Sequence, residues 1–186
     1  MVENQSEINT VNINEEDLIK RAKIDPRAFE ALYLHFVKPV YRYLYSRIGS
    51  QHEAEDATAQ TFLDALTGLK NYRHEGYFGA WLFSIARRKA ADHFRLSSRS
   101  QFLPDDLPSF DTDLLEQTLN KERIVNLREL IQKLNEEEQE LLRLRYAAQL
   151  GFAEIARLLG RTEEAVKKNL YRLQDRLQSQ LEKTDD

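Results

Sequence analysis

Between Phe152 and Arg176 the sequence FAEIARLLGRTEEAVKKNLYRLQDR places Lys167, Lys168, Tyr171 and Arg172 on one side of a helical repeat. Two ammonium groups, a guanidinium and a phenol together suit phosphate oxygens and the edges of bases. Residues 157 to 176 hold six Lys and Arg against three acidic residues, in a chain whose formal net charge is -4. Positive charge is therefore concentrated here against the overall trend, although a solvated basic face has the same composition. A second group opens with Tyr72, Arg73, Tyr77 and Phe78 and continues with Arg87, Arg88, Lys89 and Arg95. Rings beside cations suit single-stranded or distorted nucleic acid, where bases stack and phosphates pair with Arg. Trp81 is expected in the core, Phe78 fits either role, and Tyr77 with the Arg cluster is expected at a working surface. Glu55, Asp56, Gln60 and Asp64 form a third group, an acidic and polar ridge open to a partner or to solvent.

Covalent chemistry finds little to work with. The four histidines, His35, His52, His74 and His93, are dispersed, and there is no HExxH, GxSxG or glycine-rich phosphate loop. His52, Glu55 and Asp56 lack further ligands and read as surface groups of a helix start. The chain has no Cys, which removes disulfides and thiolate metal sites. No catalytic residue, metal or cofactor is expected.

The basic groups need helices to carry them. Ile155, Ala156 and Leu159 begin a short helix, Gly160 stops it, and Thr162 caps the next, with Val166, Leu170 and Leu173 as the buried stripe. A Gly turn between two helices, with a basic outer face on the second, is the plan of a helix-turn-helix. Upstream, Asp25-Pro26 starts a long amphipathic segment from Phe29 to Ile48, expected to bend near Pro39. Gly49 ends it, and Ser50 with Glu53 offers a capping box to a helix whose inner face includes Ala54, Thr58, Thr61, Phe62 and Ala65. Trp81, Leu82, Ile85, Ala86 and Ala90 give the following helix its inner face. Ser, two Pro and five acids with no Lys or Arg between Ser100 and Asn120 interrupt the rhythm. It returns with Ile124, Leu127, Leu130, Ile131 and Leu134, and Asn135 with Glu138 caps one more helix.

The fold class is therefore all-α: two small helical domains joined by a flexible acidic linker, the C-terminal one a helix-turn-helix. The expected divisions are a disordered tail at 1–13, a first domain at 14–96, the linker at 97–120 and a second domain at 121–182. Only 6 Gly and 4 Pro in 186 residues argue against a turn-rich β architecture. No apolar run approaches the roughly 20 residues needed to cross a bilayer, and the polar start MVENQSEINTVNIN lacks a signal-peptide pattern. A cytoplasmic protein without membrane insertion is expected.

Read in order, the motifs resemble the extracytoplasmic-function (ECF) group of bacterial sigma factors, the two-domain minimal members of the sigma-70 family. The resemblance runs from about residue 15 to 182. DPRAFEALYLHFVKPVYRYLYSRIG looks like the family's opening helices, and EAEDATAQTFLDAL is similar to its polymerase-binding segment. YRHEGYFGAWLFSIARRKAADHFR resembles the part that opens and reads the -10 element. LNEEEQELLRLRYAAQLGFAEIARLLGRTEEAVKKNLYRLQDRL looks like the domain that reads the -35 element.

The resemblance implies a chain that binds core RNA polymerase, recognises both promoter elements and promotes melting, while the polymerase catalyses. Asp56, Gln60, Leu63 and Asp64 would meet the clamp helices of the largest polymerase subunit. Tyr72, Arg73, Tyr77, Phe78, Arg87, Arg88, Lys89 and Arg95 would hold the -10 element. Arg161, Thr162, Lys167, Lys168, Tyr171 and Arg172 would contact the -35 element. An anti-sigma factor is the group's usual controller. Three positions depart from the family pattern: Arg88 stands where Asn is common, Ala59 where Gln is common, and Lys168-Asn169 where a Ser-Arg pair is frequent. The competing reading is a stand-alone helix-turn-helix regulator, which has no need of the ridge or of the 72–95 segment.

Overall fold

The computed structural model describes residues 15–73, 76–97 and 117–183, which form helices and turns. The N-terminal tail and most of the acidic linker lie outside the described residues. Helix α1, Glu15–Ala22, leads to a 3-10 turn at Pro26–Ala28, where the Asp25 carboxylate accepts a 2.9 Å hydrogen bond from the Arg27 N–H. Helix α2, Phe29–Ile48, runs through Pro39 as one element. A Pro inside a helix costs about 3 kcal/mol; burial of Phe36, Val40, Tyr43 and Leu44 on either side of it offsets that cost. Gly49 ends α2 at φ +82°, a left-handed conformation open to Gly.

Helix α3, Gln51–Gly68, starts with the Ser50 hydroxyl accepting from the Glu53 N–H, one half of the expected box. Helix α4, Phe78–Ser97, includes Gly79 in its first turn. Its buried face contains Leu82, Ile85, Ala86 and Ala90 as expected, and Phe83 as well. Helices α2, α3 and α4 pack on one another around Val40, Leu44, Phe62 and Leu82.

After the undescribed linker come α5, Gln117–Gln132, and α6, Glu136–Leu142. Asn135 and Glu138 close a complete capping box on α6. The helix widens into a π turn at Arg143–Ala147, and Gln149, at φ +58°, reverses the chain into α7, Phe152–Leu159. Gly160, at φ +64°, then turns it into α8, Glu163–Glu182.

The two halves are packed together. The π turn lies against α2 and α7 lies against α4. Leu144, Leu150 and Ile155 join the same apolar cluster as Tyr43 and Phe83. A Cβ on Gly79 would run into the Glu154 carboxylate and sit 3.0 Å from Leu150 Cδ2, so these side chains lie close against the first turn of α4. At the centre of this contact is Glu140 of α6, 5% exposed. Its carboxylate accepts hydrogen bonds from the Tyr43 hydroxyl and from Arg47 Nη1, both at 2.9 Å. Arg87 Nε lies 2.8 Å away as an ion-pair partner. Burial, followed by the charge of Glu140, pushes the Tyr43 phenol well above its ordinary range, so it stays a neutral donor. Burial opposes the charge of Arg47, but Tyr43 and Glu140 outweigh it and raise its affinity for the proton.

Candidate nucleic-acid interface

Helix α8 buries Val166, Leu170, Leu173 and Leu177, and this stripe fixes what its other side presents. Thr162 caps it, its hydroxyl accepting from the Ala165 N–H at 3.2 Å. Lys168, Asn169 and Arg172 are exposed, and Tyr171 is 54% exposed. Among the described residues neither Lys168 nor Arg172 has an ion-pair partner. Lys167 does: its ammonium lies 2.6 Å from Glu163 and 5.5 Å from the Phe152 ring centre. The hydrogen bond from Lys167 to Glu163 raises the ammonium above its ordinary range, so it stays charged. Arg161 is held 2.7 Å from Glu137, and Arg176 the same distance from Glu138. These pairs frame a groove of about 300 Å³ lined by Asn135, Asn169 and Arg172 among others. The expected -35 residues thus divide into an exposed edge without ion pairs, Lys168, Tyr171 and Arg172, and a braced flank, Arg161 and Lys167. Asn169 belongs to that free edge by position, although its uncharged side chain did not mark it in the sequence.

The second basic group divides in the same way. Tyr72 and Phe78 are 8% and 1% exposed, their rings 5.7 Å apart and edge to face. They support the site and offer no open stacking face. Trp81, expected in the core, is only partly covered: it packs 4.8 Å from Tyr72 and 5.4 Å from Phe78. Together with Arg88, Asp64, Thr67 and Asn71, it lines a pocket of about 430 Å³. Gly68 makes room for the indole, since a Cβ there would stand 3.3 Å from Trp81 Cζ2. Arg73 and Tyr77 are exposed, and Arg73 follows Tyr72, which lines the pocket. Of the four α4 cations, Arg88 is exposed, Arg87 is turned to Glu140, Lys89 lies 2.6 Å from Asp64, and Arg95 pairs with Asp92.

Along α3, Asp56 and Gln60 are exposed and Leu63 is 55% exposed, on a single stripe. Asp64 departs from it by facing Lys89 on α4. Leu66, 38% exposed, extends the stripe with apolar surface. His52 Nδ1 lies 3.3 Å from Asp56, both side chains largely in solvent.

Comparison with known families bears on these three surfaces together. The family model "Sigma-70 region 2" matches residues 32–100, and "Sigma-70, region 4" matches residues 124–173. The chain belongs to the sigma-70 family. The first matched region contains the α3 ridge and the Trp81 pocket, and the second reaches into α8 as far as residue 173, Lys168 and Arg172 included. Among curated relatives, the ECF RNA polymerase sigma factor BldN of Streptomyces coelicolor is 36% identical over 84% of this chain. The RNA polymerase sigma factor YlaC of Bacillus subtilis is 28% identical, also over 84%. The chain spans 61% of the length of the Streptomyces protein and 94% of the Bacillus one. A solved structure of sigma factor RpoE in complex with the anti-sigma factor NepR from Bartonella quintana matches with a TM-score of 0.62 and 20% identity. It covers 83% of this chain and 96% of that one, a likeness of fold. Membership in the ECF group of sigma factors follows from these relatives. No helix among the described residues of this sigma factor is long and apolar enough to cross a membrane.

Proposed function

We propose that this sigma factor divides promoter recognition between the outer edge of α8 and the Trp81–Arg88 pocket, and docks on core RNA polymerase through the α3 stripe. The observation that carries the reading is the pair of unpartnered cations, Lys168 and Arg172, on the face of α8 opposite its buried stripe. In the major groove such groups donate to guanine O6 and N7, while braced Arg161 and Lys167 meet phosphates and set register. Cations on phosphates also release condensed counterions, so binding weakens steeply with salt.

At the -10 element Tyr77, Arg73 and Arg88 would hold the unpaired non-template strand, with a base turned out of the stack toward Trp81. Arg88, longer and always charged, would prefer a base presenting acceptors at a position where the family pattern often has Asn. Asp56, Gln60, Leu63 and Leu66 present a mixed polar and apolar stripe to the polymerase clamp helices. The polymerase supplies the chemistry, and this chain supplies recognition and strand separation in the cytoplasm. An anti-sigma factor of the kind that the Bartonella protein binds would control it.

The test is transcription from fragmented genomic DNA with purified chain and bacterial core polymerase, with RNA 5′ ends sequenced. Discrete start sites sharing two upstream motifs are expected. Binding of duplex without polymerase and no discrete starts would instead favour a stand-alone regulator.

A further inference from the structure

We infer that Glu137 and Glu138 set the specificity of duplex recognition: they hold Arg161 and Arg176 as built-in counter-charges, so that these arginines add little to the binding of arbitrary DNA. This rests on the reading of α8 as the -35 helix proposed above. The first turn of α6 carries three consecutive glutamates, and they take partners on different elements. Glu136 lies 3.5 Å from Arg47 and 3.4 Å from Arg143, neither of them on α8. Glu137 instead takes Arg161, just before the cap of α8, and Glu138 takes Arg176 within that helix, each at 2.7 Å.

Arg176 follows Lys168 and Arg172 at intervals of four, so helical spacing continues the basic stripe to it. Glu138 ends the unpaired stripe at Arg172, and Glu137 closes the opposite end at Arg161. Between the two pairs lies the groove of about 300 Å³, which shares Asn169 and Arg172 with the exposed edge. Of the cations Arg161, Lys167, Lys168, Arg172 and Arg176, three have a carboxylate within 2.7 Å, the remaining pair being Lys167 with Glu163. Five positive charges against these three negative ones leave a balance of +2.

A cation that meets a phosphate releases counterions whatever the base sequence, and this sequence-blind gain dominates non-specific binding. A carboxylate beside the guanidinium repels a phosphate that arrives out of register. It still leaves part of the five-donor fork open, so a phosphate placed by the correct register finds donors already aimed. Discrimination then comes from a penalty on wrong sequences as well as from contacts to the right one. Folding offers no comparable reason for the pairs, since ion pairs this open to solvent contribute little to stability. Glu138 serves two purposes with separate oxygens. Oε2 accepts from the Asn135 N–H at 3.3 Å in the capping box, and Oε1 meets Arg176. A Gln there keeps the box and loses the charge, which separates the two roles.

Full-length Glu137→Gln, Glu138→Gln and Glu136→Gln are compared with wild type, each alone and assembled with core polymerase. Glu136→Gln removes the same charge from the same turn without freeing Arg161 or Arg176. Circular dichroism confirms that each keeps its helices. Binding is titrated over a range of salt against two duplexes, one with a -35 motif mapped by the transcription assay and one with that motif scrambled. In Glu137→Gln and Glu138→Gln the salt slope on the scrambled duplex should steepen by about 0.9, with affinity raised roughly 8-fold near 0.1 M salt. Affinity for the mapped duplex should rise less, so the ratio between the two falls. Arg176→Gln should change scrambled-duplex binding by less than about 2-fold alone, yet cancel the gain made by Glu138→Gln. Unchanged slopes overturn the inference, and so does an unchanged ratio. Equal steepening in Glu136→Gln also overturns it, because net charge alone would then be responsible. With a wild type that discriminates the two duplexes, any of these sinks the inference and leaves the -35 reading standing. A wild type that binds both alike removes the -35 reading itself.

Discussion

Lys168 and Arg172 stand four residues apart on α8 with their charges unshared, and in the proposed function each would meet a different base edge. Replacing either by Ala should weaken specific duplex binding by about 1–3 kcal/mol and relax preference at one promoter position. Competition binding against single-base variants of the -35 element measures both effects; equal affinity for all variants in wild type and mutant would remove these residues from the reading edge. Tyr43 supplies a different kind of residue-scale test. Tyr43→Phe removes the hydroxyl that donates to buried Glu140 and should lower stability by about 1.5–3 kcal/mol in urea titration, as for hydrogen bonds to charged groups. At this scale the sequence was informative where charge and helical spacing agreed, as on α8. It was silent where a partner lies far along the chain. Arg87 and Arg88 are adjacent and alike in composition, but only the fold turns one to Glu140 and the other to a pocket. Asp64 looks like a continuation of Asp56 and Gln60 until Lys89 is placed beside it.

The elements were the most legible level, because their ends are written in local backbone chemistry. Gly49, Gly160, Thr162 and the Asn135–Glu138 box are all where the residue types call for them. Gly160 offers a clean test, since nothing lies within 4 Å of where its Cβ would stand. Gly160→Ala should therefore cost about 1–2 kcal/mol from the left-handed backbone alone, seen in thermal melts; a neutral result would mean that the α7–α8 turn adapts. The elements that escaped the sequence reading lack such signals. The π turn at Arg143–Ala147 and the reversal at Gln149 contain neither Gly nor Pro at the turning point, so tertiary packing alone selects them. Helix α3 carries its own prediction. Asp56→Ala with Gln60→Ala should reduce affinity for core polymerase while leaving -35 duplex binding by the free chain unchanged, measured by sedimentation with polymerase and by DNA titration. Parallel loss of both would point to a misfolded α3 rather than to a docking stripe.

Across the whole molecule, apolar side chains from both halves form a continuous cluster from Ile19 to Leu170. Two separate helical domains were legible from composition and periodicity, and their mutual packing was not, because Leu144, Leu150 and Ile155 look like any inward-facing residues of a small bundle. A shared cluster predicts shared unfolding. Urea transitions followed by far-UV ellipticity and by amide exchange in α3 and in α8 should coincide; loss of α8 protection at lower urea than α3 would show that the halves are held more weakly than their packing implies. Trp81 adds a consequence of another kind. It is the only tryptophan in the chain, and it forms a wall of the pocket beside Arg88, partly open to solvent. A nucleobase entering that pocket would stack on the one indole and quench its emission. Strand capture would then be visible in the protein's own fluorescence, in real time and without a label on either partner.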